Sequence, residues 1–198
     1  MGLTRLDRLL ADVRACQLCA AYLPNPPRPV LRAAASARVQ IVGQAPGRKV
    51  HETGIPWNDP SGDLLRAWLG IDRAAFYDAR RIAIIPAAFC YPGKGASGDL
   101  PPRPECAPLW HPQLRALLPH VHLTLLVGQY AQAYYLGGRR HGTLADTVRD
   151  YRKFLPEFFP LPHPSPRNRR WLRQNAWFER DILPALRQCF RAALGPML

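Results

Sequence analysis

An α/β architecture, with a mostly parallel sheet and helices on both faces, follows from how the apolar runs alternate along the chain. Strand-like runs at 38–42 (RVQIV), 82–86 (IAIIP) and 123–127 (LTLLV) are separated or followed by helical patterns at 61–70, 107–117 and 129–136. Strands joined by helical crossovers pair in parallel and bury both faces of the sheet. At 198 residues, 47% of them hydrophobic, the chain suits one compact domain with a sizeable core. The 22 prolines fall between the periodic segments, so they mark loops rather than disorder, and no internal repeat is present.

Taken in chain order, Leu3, Leu6, Leu9, Leu10 and Val13 recur at helical spacing, which predicts an amphipathic N-terminal helix that delivers the pair in "CQLC" at its end. "LPNPPRPVLRAAASA" is an irregular, proline-broken connection to the first strand. The segment 90–106, "CYPGKGASGDLPPRPEC", is a long glycine- and proline-rich loop. "FFPLPHPSPRNRRWL" is expected to be a second such loop, leading into a C-terminal helix from about Trp171 to Ala193. One domain over 1–198 is expected, with the N-terminal helix and cysteine pair in 1–20 and the core in 36–196.

The formal charge is +13, and all but Lys49, Lys94 and Lys153 of the 27 basic residues are arginines. The planar, weakly hydrated guanidinium suits phosphate, so a polyanionic partner is expected. A GC-rich genome that favours arginine codons accounts for the same bias with a merely solvated basic surface. No stretch reaches the roughly 18 uninterrupted apolar residues of a membrane span. Arg5, Asp7, Arg8, Asp12 and Arg14 interrupt the N-terminal leucines, so no signal peptide is expected and a cytoplasmic protein follows.

Directly after the first strand, "VGQAPGRKVHETGIPW" (42–57) places two glycines and a proline in a side-chain-poor turn, then His51, Glu52 and Trp57. Such a turn lets backbone N–H groups approach a ligand closely, beyond the carboxyl end of a strand where parallel sheets bind ligands. "HPSPRN" can converge on the same end of the sheet. Without an export signal the cysteines read as metal ligands or buried thiols. Cys16 and Cys19 have the spacing that points two thiolates at one centre, and the loop between Cys90 and Cys106 is long enough to fold back onto them. Four thiolates hold zinc or an iron–sulfur cluster. Cys189, on the C-terminal helix, reads as a small packed side chain.

The ordered set "CQLC", "VGQAPG", "GIPW", "SGDLLRAWL", "FCYPGKG…PPRPEC", "LLVGQYA" and "HPSPRNRRW" resembles the uracil-DNA glycosylase superfamily, most closely its iron–sulfur family four, over nearly the whole chain. The resemblance implies a three-layer α/β/α fold around a four-stranded sheet. It also implies a [4Fe–4S] cluster, with zinc the weaker alternative, on Cys16, Cys19, Cys90 and Cys106. The chemistry implied is hydrolysis of the N-glycosidic bond of a uracil, or another deaminated base, flipped out of DNA. His163 matches the histidine that donates to the leaving base. Trp57 stands where a phenylalanine commonly stacks on that base, and the backbone from Gly43 through Ala45 to Gly47 would line the pocket. Ser165, Arg167, Asn168, Arg169 and Arg170 would meet DNA, which a monomer would bind in the nucleoid.

The sequence departs from the family at three positions. Gln44 replaces the acidic residue usual in family four, and Ala45 replaces the aspartate of the best-known uracil enzymes, so neither position supplies a general base. Gln44 can still hold a water, and His51, Glu52 and Asp59 are ionisable groups near the same turn. Pro86 stands where family four has an asparagine that reads uracil's edge, which points to relaxed base choice. A protein that binds damaged DNA after losing its catalytic groups is the alternative expectation.

Overall fold

The computed structural model describes residues 2–96 and 98–195, so the expected core boundary at 196 lies outside the described residues. The elements run α1 (Arg5–Arg14), β1 (Val39–Val42), α2 (Arg48–Thr53), α3 (Pro60–Leu69), α4 (Arg73–Phe76), β2 (Ile82–Ile84), β3 (Lys94–Gly95), β4 (Gly98–Asp99), α5 (Cys106–Ala116), β5 (Leu123–Val127), α6 (Gln129–Leu136), α7 (Leu144–Arg149), β6 (Phe158–Leu161), α8 (Arg169–Gln174) and α9 (Leu183–Leu194). Strands β2, β1, β5 and β6 form, in that order, a four-stranded sheet whose pairs are all parallel. Every residue of these strands is buried, which requires cover on both faces. Val39 and Ile41 pack on one face with Leu65 and Trp68 of α3 and Leu186 and Phe190 of α9. Ala83 faces the other side with Leu6 and Leu10 of α1 and Leu114 of α5, and Val42 does so with Ala131 of α6. The fold is therefore a three-layer α/β/α sandwich. No helix among the described residues is long and apolar enough to cross a membrane.

The fourth strand corrects the reading of "FFPLP" as loop. Pro160 sits inside β6 in register with Leu126, and this is tolerated because β6 is an edge strand whose outer side needs no N–H for pairing. The segment 90–106 is also less irregular than expected, since β3 and β4 form a short antiparallel hairpin within it. The predicted C-terminal helix is broken. Asn175 donates from its side chain to the Trp171 carbonyl (2.8 Å) and accepts from Trp177 Nε1 (2.9 Å), which ends α8. Pro184, near the start of α9, cannot donate to the carbonyl four residues back, and the preceding turn, Phe178–Ile182, widens to π-helical geometry.

A buried polar chain runs beneath the sheet ends. His111 of α5 is 1% exposed. Its Nε2 lies 3.0 Å from the Pro86 carbonyl, which can only accept, so Nε2 donates. Nδ1 then accepts from the Tyr135 hydroxyl (2.7 Å), which in turn accepts from Gln40 Nε2 (3.3 Å). Burial holds the His111 imidazole down at about 4. Between that value and its ordinary one near 6.5, the unfolded chain binds a proton that the folded chain does not. The resulting stability is complete above about pH 6.5 and lost as pH falls towards 4, roughly 3 kcal/mol in all. His111→Gln is expected to flatten this part of the acid limb. Urea midpoints at pH 7.5 and 4.5 test it, and a wild-type-to-variant gap that stays the same at both pH values would refute it.

Candidate active site at the carboxyl ends of the strands

Chain order and spatial order diverge between β1 and β5: the chain leaves β1 for β2 on one side and later returns to β5 on the other. Ligands settle beyond the strand ends at such a switch point. A cavity of about 480 Å³ lies there. Its first wall is the turn after β1. The carbonyls of Gly43 and Gln44 accept from the N–H groups of Ala87 and Ala88, both at 2.9 Å, so the turn is pinned to the chain beyond β2 while Gly43 to Gly47 face the cavity.

Trp57 adopts a strained backbone in a tightly packed place. Its φ of 57° lies in the left-handed region that side chains other than glycine rarely occupy, a strain that persists only where the surroundings enforce it. Two glycines do so. A Cβ on Gly43 would stand 2.7 Å from the indole ring, and one on Gly62 would overlap the Trp57 carbonyl oxygen. Asp59, two residues on, caps α3 by accepting from the Gly62 N–H at 2.8 Å. The facing wall comes from the chain after β6. The His163 ring stacks on Trp57 with centroids 5.6 Å apart and 29° between planes. Asn168 donates from its side chain to the His163 carbonyl (2.8 Å), and Ser165 Oγ accepts from the Arg167 N–H (3.3 Å). Burial lowers the His163 imidazole below its ordinary value, with Asp59 opposing, so the ring is neutral at neutral pH.

Of the residues expected at the site, Gly43, Gln44, Ala45, Gly47, Trp57, Asp59, His163, Ser165, Arg167 and Asn168 all line this cavity. Four others do not. His51 sits on the back of α2 with its ring 6.1 Å from that of Tyr91, while its carbonyl accepts from Arg28 Nη1. The His51 Nδ1 is buried with no partner among the described residues. Arg169 and Arg170 are exposed at the start of α8, beyond the lining. Glu52 is exposed and pairs with Arg48 at 2.8 Å. The cavity also takes Pro86, Asp99, Gln129 and Tyr130, which were not expected in its wall as functional groups. Their positions just after β2, on β4 and at the start of α6 explain their presence. For Gln129 and Tyr130, the usable signal was that they directly follow a predicted strand.

Cys16, Cys19, Cys90 and Cys106 line a second, small cavity together with Phe89, Trp110 and Arg103. Burial, helped by the neighbouring cysteines, pushes the thiols of Cys90 and Cys106 up to about 11 and 12. Arg103 Nε is buried in this wall with no partner among the described residues. No three His, Cys, Asp or Glu side chains among the described residues converge as a single ion would require. The four thiols thus line one cavity together. Cys189 lies apart, partly buried against the core beside α9. A family model described as the uracil DNA glycosylase superfamily matches residues 31–187, well over half of the chain.

Proposed function

From the premise that the chain belongs to the uracil DNA glycosylase superfamily, we propose that it excises uracil, and other deaminated bases, from DNA by hydrolysing the N-glycosidic bond. The observation that carries this reading is the Trp57–His163 stack in the wall of the 480 Å³ cavity, beside the backbone turn from Gly43 to Gly47. Breaking the bond leaves positive charge on the sugar and negative charge on the base, so the site needs a donor to the base and a placed water. His163 supplies the donor, as a neutral imidazole in a partly enclosed wall. Trp57 supplies an aromatic surface for the base.

Asp59 and Gln44 orient the water. His51, behind α2, is too far round the helix for that task. Pro86 offers no side-chain hydrogen bond where its family counterpart would read the base edge, which supports relaxed base choice. Ser165, Arg167 and Asn168 at the rim, with exposed Arg169 and Arg170 beyond, meet phosphates and position the strand without reading sequence.

A [4Fe–4S] cluster is the group that these four cysteines would hold, with one zinc ion the alternative. They line one small cavity together, and the Arg103 Nε buried in its wall has no partner among the described residues. Such a cluster would tie the end of α1 to the start of α5. The reading is tested by incubating the protein with uracil-containing oligonucleotides, treating with alkali and resolving the products on a gel. Strand cleavage at uracil is expected. A shifted but uncleaved oligonucleotide would overturn catalysis in favour of a damaged-DNA binder, the reading that Ala45 and Pro86 favour.

A further inference from the structure

The β3–β4 hairpin reaches over the turn after β1 and brings a second carboxylate to the cavity. A Cβ on Gly47 would stand 3.5 Å from Asp99 Oδ2 and 4.0 Å from Asp59 Oδ2, so the two acids flank the same backbone point. Both line the cavity with His163. They are not equivalent. Asp59 commits one oxygen to capping α3. Asp99 stands near Tyr91, whose phenol its charge helps to raise after burial, and Tyr91 is itself 7% exposed and packed near His51. The hairpin is seated by Arg167, whose guanidinium covers Gly98 so closely that a Cβ there would overlap it.

An acid in this position works against DNA binding. The chain has 14 acidic residues against 27 basic ones, and a carboxylate at the mouth of a phosphate-binding cleft repels the backbone. Its placement is useful only if it faces positive charge, and the reaction creates that charge at the sugar. Resting on the glycosylase reading above, we propose that Asp99 is a catalytic residue whose carboxylate faces C1′ of the sugar. As the C1′–N bond breaks, its electron pair leaves on the base, which departs as an anion hydrogen-bonded by His163. The sugar becomes cationic opposite Asp99. Water then forms the new C1′–O bond and passes its proton to the Asp99 carboxylate, which returns it to solvent. The carboxylate missing at Gln44 and Ala45 is thereby supplied from a different loop.

The test compares binding of two oligonucleotides, one with a cationic pyrrolidine in place of the abasic sugar and one with neutral tetrahydrofuran. The wild type is expected to prefer the cation by about tenfold or more, as a close opposite charge in a partly desolvated site allows. Asp99→Asn keeps the shape but removes the charge. It should bring the two affinities within about threefold, with tetrahydrofuran DNA bound as well as or better than by the wild type. A variant that keeps the preference, or a wild type that shows none, overturns the proposal. Equal loss of both ligands would show a structural role and also overturns it. A wild type that prefers the cation yet leaves uracil DNA intact would instead sink the glycosylase reading alone.

Discussion

His163→Ala is expected to slow single-turnover excision of uracil by on the order of 10²- to 10³-fold, the usual loss when one preorganised donor to a developing anion is removed. Affinity for the uracil oligonucleotide should stay within a few-fold, because the residues after His163 proposed to meet phosphates are untouched. The variant also removes the ring stacked on Trp57, so His163→Gln is needed beside it. Glutamine keeps an N–H donor without the ring, and partial recovery of rate would assign the loss to donation rather than to packing. Burial keeps the imidazole neutral at neutral pH and moves its protonation below the ordinary histidine range. The rate step caused by His163 should therefore lie below pH 6.5, and the wild-type-to-alanine ratio should be constant from there to alkaline pH. Full activity in the alanine variant would end the proposed mechanism. Among the residues of "PLPHPSPRN" only Ser165 and the backbone would remain to serve a leaving base at that wall.

The parts of the fold legible from sequence were those where burial imposed a simple pattern. Strands β1, β2 and β5 are buried on both faces and read as continuous apolar runs. Strand β6 is equally buried, but Pro160 and the prolines after it carry a loop signature that only its edge position overrides. In the site, residues directly after strands were found because a parallel sheet gathers its strand ends in one place. His51 was misplaced by proximity in sequence. Val50 lines the cavity, and the next residue of a helix is turned by about 100°, which sends His51 to the far side against Tyr91. Asp99 had no signal at all. It lies in a glycine- and proline-rich stretch without periodicity, and the hairpin that carries it over Gly47 is set by tertiary packing, including Arg167 on Gly98.

Purified protein is expected to be brown and to carry about four irons per chain, and Cys106→Ser to lose both colour and iron. The stability effect should be large because of where the ligands stand. Cys106 opens α5, Cys16 and Cys19 follow α1, and Cys90 follows β2. The layer that these elements build is a modest core of Leu6, Leu9, Leu10, Val13, Phe89 and Leu114. Binding energy at such a site is folding energy, so its loss should cost on the order of several kcal/mol, read as a fall in the urea midpoint. Cys189→Ser, remote from the cavity, should retain iron and shift the midpoint little. Iron analysis separates the two candidate groups. One zinc ion with bonds of about 2.3 Å draws its four sulfurs to within roughly 3.8 Å of one another. A cubane ends each thiolate on its own iron, so its sulfurs stand further apart than those around one zinc. About one zinc and no iron per chain would overturn the cluster.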